Sequence, residues 1–134
     1  TLLIKKKMTK NFKKHEFECK CGCEMPDDVY SNVIKLAGEL QKLRDIFDVP
    51  FTPTNAYRCP KHNKAVGGVS KSMHLLGLAA DLQIPEIEPH EVAGVIETLM
   101  DNGEILMGGV GRYNTFTHMD IRGHRARWDK TSDI

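Results

Sequence analysis

Two imidazoles and a carboxylate, from His74, Asp81 and His118, are the set in this sequence best suited to holding a metal ion. Histidine offers a borderline-soft nitrogen and aspartate a hard oxygen. Together they suit zinc, preserve its Lewis acidity and leave a fourth position for water or substrate. His74 and Asp81 flank a link containing Gly77, Ala79 and Ala80, small residues that let the backbone run close to a centre. The spacing by itself is a weak signal. A capping histidine, a surface aspartate and a histidine buried in a strand would produce the same pattern.

The cysteines form a second candidate cluster. Cys19, Cys21 and Cys23 alternate, and Cys59 stands alone. Four thiols can make a structural zinc site, although Cys-x-Cys-x-Cys is tighter than the usual Cys-x2-Cys knuckle. A disulfide from Cys59 to one of the other three is the competing reading outside the cytosol, and free thiols are the third. His62 and His124 are alternatives for proton transfer or for an oxyanion contact, against a surface or packing role, whereas His15 and His90 belong to no constellation. Gly108, Gly109 and Gly111 would let a strand pass close to a substrate, or simply form a tight turn; they lack phosphate-loop spacing.

These residues need elements to position them. Val29, Val33, Leu36, Ala37, Leu40, Leu43 and Phe47 recur at three- and four-residue spacing, predicting a helix over 26–50, capped by Asp27 or Asp28 and stopped by Pro50. A short edge strand is expected over 51–57, then a turn with a helical piece through Val66. Residues 72–77 read as a turn or short helix entering a central strand over 78–84. A second helix spans 89–102, with Val92, Ala93, Ile96, Leu99 and Met100 inward, and Gly103 after it. Residues 107–113 read as a glycine-rich strand and loop, and 125–128 as a last short strand. Between them, 117–121 alternates as a strand, putting His118 and Asp120 on one face and Met119 and Ile121 on the other. Helices beside a few short strands point to an α+β domain.

Bulk properties narrow the field. The 134 residues suffice for one domain with one sizeable core. A net charge of +1, from 19 basic and 18 acidic residues, gives no support to a nucleic-acid binder. Lysines at 5, 6, 7 and 10 make residues 1–11 a basic, flexible leader by expectation; 12–130 form the domain and 131–134 a polar tail. No apolar run is long enough to span a membrane, and no signal peptide is visible.

The segments Asn55–Asn63, Val66–Gly68, Ser72–His74, Gly77–Asp81, Gly108–Tyr113 and Phe116–Asp120 together resemble the zinc D-alanyl-D-alanine carboxypeptidases, the M15 peptidases. The resemblance runs over roughly residues 12 to 128, and is strongest to the small phage-endolysin-like, His-x-Asp branch. It implies a hedgehog/DD-peptidase-like fold, with a small antiparallel sheet flanked by helices. It implies one catalytic zinc on His74, Asp81 and His118, with Arg58 gripping a substrate carboxylate or carbonyl through its planar fork. Ser72 and Tyr113 are then expected to contact substrate.

The same resemblance leaves the proton acceptor open. Several members carry an acid three residues before the last ligand, where this chain has Thr115. Asp120 is the alternative, either as general base or as a group orienting a ligand imidazole. The implied activity is hydrolysis of a peptide bond in peptidoglycan stem peptides, as carboxypeptidase or as L,D- or D,D-endopeptidase. A monomer in the cell envelope, secreted or released by a phage, is expected. The competing functional class is a non-catalytic zinc domain that binds wall peptide or a protein partner, as in hedgehog-like relatives; a plain α+β interaction module without metal is a third.

Overall fold

The structure, a computed structural model, describes residues 8–132. Five short strands, β1 (Pro53–Asn55), β2 (Ala79–Leu82), β3 (Gly109–Arg112), β4 (Thr117–Asp120) and β5 (Ala126–Asp129), form one sheet in the order β1-β2-β4-β3-β5. Three helices accompany it: α1 (Asp27–Phe47), α2 (Pro60–Ala65) and α3 (Pro89–Asp101). This is the α+β architecture the sequence suggests. The ladders joining β1, β2, β4 and β3 are antiparallel, while β5 pairs parallel to β3. The last ladder makes the sheet mixed, because the chain crosses from β4 over to the free side of β3.

Strand alternation sorts the sheet into two faces. Ala80, Leu82, Val110 and Met119 point into the apolar core with the inward stripes of α1 and α3. Each fully buried aliphatic side chain among them contributes about 1.5–3 kcal/mol relative to exposure. The opposite face carries Asp81, His118, Asp120 and Trp128 beside Gly109 and Gly111. Chemistry and stability are therefore written on alternate residues of the same strands.

Helix α1 buries Val29, Val33, Leu36, Ala37, Leu40 and Leu43, as its periodicity requires. Its ends differ from expectation. The N-cap position is Pro26, and Asp27 and Asp28 lie inside the first turn, where they face the helix dipole instead of capping. Asp48, in the left-handed region at φ 53°, ends the helix before Pro50 is reached. The N-terminal half of α1 presses on the 3-10 turn Met73–Leu76 that delivers His74. At Gly77, which closes this turn with φ 74°, a Cβ would lie 2.8 Å from Val29 Cγ1.

Before α1, Phe12 meets Phe17 and Phe51 edge-on, at centroid distances of 6.1 and 5.5 Å. The basic leader expected over residues 1–11 lies partly outside the described residues. Within them, Asn11 exchanges hydrogen bonds with Gln41 of α1. Of the tail, Ser132 is tied to Asn114, and 133–134 lie outside the described residues. No helix among the described residues is long and apolar enough to cross a membrane.

Candidate metal centre

Asp81 and His118 are direct cross-strand partners on β2 and β4, and the turn before β2 brings His74 to the same spot. Asp81 Oδ1 lies 3.3 Å from His74 Nε2 and 3.3 Å from His118 Nδ1. One ligand atom from each residue falls within 4.8 Å of the others. All three residues are buried. Burial alone would raise the Asp81 carboxyl, yet His118 and His74 beside it bring it down to about 2.

The outward nitrogens of both rings are already committed. His74 Nδ1 lies 2.6 Å from the Ala56 carbonyl, which can only accept, so this nitrogen carries the proton. His118 Nε2 lies 2.7 Å from Asp120 Oδ2 and donates to it. Each ring thereby turns its other nitrogen, Nε2 of His74 and Nδ1 of His118, toward Asp81. Asp81 Oδ1 is buried and has no hydrogen-bond partner. Two imidazole nitrogens and an orphaned carboxylate oxygen, converging in a buried spot, fit a divalent zinc ion.

Above this spot lies an open cleft of about 630 Å³, lined by Arg58, Ser72, Tyr113, Trp128 and Lys130 among others. The family profile described as Peptidase M15 matches residues 10–120, a span that includes all three ligands and Arg58. The chain belongs to the M15 peptidase family. No curated protein matches it closely enough to be named beside it. With its His-Asp-His set, the protein is a zinc-dependent peptidase.

In this peptidase Arg58 follows β1 and reaches the cleft with Nη2 3.3 Å from Ser72 Oγ, while its buried Nε has no partner. Ser72 Oγ also caps the His74 turn by accepting the His74 N–H at 3.1 Å. One hydroxyl thus links the arginine to the first ligand. Tyr113 Oη accepts from Trp128 Nε1 at 2.9 Å, which leaves the tyrosine O–H free to donate into the cleft. The Tyr113 ring stacks on Phe116 at 4.3 Å.

Asp120 sits behind His118, on the nitrogen facing away from Asp81, and is fully buried. Its oxygens also receive Gly109 N at 2.8 Å, Arg122 Nε at 2.8 Å and Arg122 Nη2 at 2.7 Å. Burial would raise its carboxyl, but Arg122 and His118 hold it well below the usual carboxylate range. For His118, burial opposes the charged form, and Asp120 and Asp81 outweigh it to raise the pKa.

Other candidates fall elsewhere. Thr115 is exposed, and its carbonyl receives Gln83. His62 lies on α2 and His124 in an exposed turn; neither lines the cleft. The glycines of β3 do not make room for substrate. A Cβ at Gly109 would meet the Asp120 carboxylate, and one at Gly111 would meet the Trp128 indole. Arg122 and Trp128 are the residues that sequence reasoning missed. The Trp128 ring lies 4.9 Å from His118 and the Arg122 guanidinium 5.5 Å from Trp128. The available signals were an arginine two residues after Asp120 and the only tryptophan of the chain.

Proposed function

We propose that this zinc peptidase hydrolyses a peptide bond in bacterial peptidoglycan stem peptides, as a D-Ala-D-Ala carboxypeptidase or as an L,D- or D,D-endopeptidase. The observation that carries the reading is the position of Arg58, whose guanidinium, held by Ser72, shares one cleft with the three ligands. Lys71 and Lys130 line the same cleft and add cationic side chains beside Arg58. Such a cleft suits a peptide bearing free carboxylates, as stem peptides do, and Arg58 supplies the bidentate grip. A wall substrate would put the working protein in the cell envelope, or on the wall after secretion or release by a phage.

When bound at His74, Asp81 and His118, zinc supplies Lewis acidity that polarises a carbonyl and acidifies a water. The chain's own residues do the rest. Arg58 orients the substrate carboxylate or carbonyl. The free O–H of Tyr113, fixed by Trp128 Nε1, donates a hydrogen bond to a substrate oxygen as negative charge develops there. Ser72 holds Arg58 in register with His74.

Asp120 is assigned to positioning His118 and not to taking a proton. All its oxygen capacity is spent on Arg122, Gly109 and His118, and a carboxylate so strongly held as the anion is a poor proton acceptor.

The deciding experiment is digestion of purified peptidoglycan, with mass analysis of the products, with and without a chelator. Release of D-alanine, or of a peptide cut at one stem bond, that stops with chelator and returns with zinc is the expected result. Intact wall peptides retained by the zinc-loaded protein would favour a binding domain instead.

A further inference from the structure

Away from the cleft, the structure brings Cys19, Cys21, Cys23 and Cys59 together, with one sulfur from each within 4.8 Å of the others. Cys19 Sγ and Cys21 Sγ are 3.3 Å apart, and Cys21 Sγ and Cys59 Sγ 3.5 Å. All four cysteines are free. Four thiolates around one zinc at about 2.3 Å would stand about 3.8 Å from one another along the edges of a tetrahedron. The sulfur spacings here are of that size. We infer that these four cysteines bind a second zinc ion, a structural one, that fastens the segment before α1 to the start of α2.

The surroundings suit bound thiolates. The Cys59 N–H donates to Cys19 Sγ at 3.4 Å and the His62 N–H donates to Cys59 Sγ at 3.4 Å. Backbone donors of this kind orient sulfur ligands and stabilise their charge. The His62 contact exists because Cys59 is the N-cap of α2, so the helix start itself supplies a donor. A chain turn closed by Gly22 N to Cys19 O, at 3.0 Å, folds the tight Cys-x-Cys-x-Cys run back on itself. That turn is how alternate cysteines, which an extended strand would point along one side, converge on a single point.

A dication at the point where the four sulfurs converge favours the thiolate form of each, and their protons go to solvent on binding. A d¹⁰ ion with no geometric preference of its own and a closed sulfur shell is the match for such a set. No position remains for water, so the role is structural. Cys59 directly follows Arg58, whose N–H bonds the His74 carbonyl at 3.1 Å. The Tyr57 N–H bonds the Phe17 carbonyl at 3.1 Å in the same junction. The second zinc would therefore brace the backbone from which Arg58 enters the cleft.

The test counts and types the metal in full-length protein purified without a polyhistidine tag, under reducing conditions, and equilibrated with zinc. Wild type is expected to hold two zinc ions per chain. The double variant His74→Ala/His118→Ala is expected to keep one, with four sulfur neighbours at about 2.3 Å in X-ray absorption. In wild type the four thiols should resist a thiol reagent until chelator is added. Wild type with one zinc bound only by nitrogen and oxygen would overturn the inference. So would freely reactive thiols in the zinc-loaded protein, iron in place of zinc, or an intact mass two hydrogens short, which marks a disulfide. A single zinc with only sulfur neighbours in wild type would instead keep this site and remove the catalytic one, so the two claims fail separately.

Discussion

The two ligand clusters of this peptidase stand on either side of Arg58 and are built in opposite ways. His74, Asp81 and His118 come from a turn and two adjacent strands, and they open onto a cleft. The four cysteines come from a loop and a helix start, and their sulfurs enclose one another. In the first cluster the unused nitrogens are held from behind, by Ala56 and Asp120, so that three atoms are presented and one direction is left free. In the second, four sulfurs converge on one point and together complete the shell. The contrast is the one between a metal site that must admit a reactant and one that must only hold the chain together.

Substitutions can sharpen or break this contrast. The largest effect is expected from His118→Ala. It should cut activity on peptidoglycan by at least about 10⁴-fold, while the protection of the four thiols in zinc-loaded protein persists. Loss of both together would mean that the clusters form one cooperative unit. Next comes Asp120→Asn, which should weaken zinc at the cleft by about 10–100-fold and leave turnover recoverable at saturating zinc. Unchanged zinc affinity with turnover lost would restore Asp120 as the general base.

A smaller effect tests the sheet behind the cleft. Gly111→Ala places a methyl against the Trp128 indole and should cost about 1–3 kcal/mol in denaturant unfolding, with thiol protection untouched. An unmoved midpoint would show that Trp128 is not fixed over His118.

The smallest effect is on acid stability of the zinc-free protein. Asp81 is lowered from 3.8 to about 2, so the folded state binds fewer protons than the unfolded one. Its stabilisation is complete above pH 3.8 and is lost as the pH falls through about 2. Asp81→Asn should flatten this part of the acid-unfolding curve, whereas Cys21→Ser should leave it in place.

Much of the fold was legible because it rests on periodicity. The stripe from Val29 to Leu43 and the alternation around His118 translate directly into a buried face and a strand. The ligand set was legible chiefly through its resemblance to a family, since the six residues between His74 and Asp81 say nothing of a meeting with His118. Other features depend on long-range geometry. Alternation puts His118 and Asp120 on one face, but it does not tell which ring nitrogen meets the carboxylate, and that choice separates a base from a positioning group. The parallel pairing of β5 with β3 depends on a crossover that local pattern cannot reveal, so Trp128 over His118 and the need for Gly111 beneath it went unseen. Asp27 and Asp28 look like caps, yet Pro26 occupies the capping position.

One consequence follows from the carbonyl of Ala56. The proton pattern of His74 is chosen by a residue from a different stretch of chain, just as that of His118 is chosen by Asp120. An unfolded chain holds the same three ligands with neither ring preset. High-affinity zinc capture at this centre thus becomes possible only after the segment around β1 has docked on the turn before β2. During refolding, uptake of the metal works as a clock, marking the moment when separate parts of the chain first agree on their arrangement.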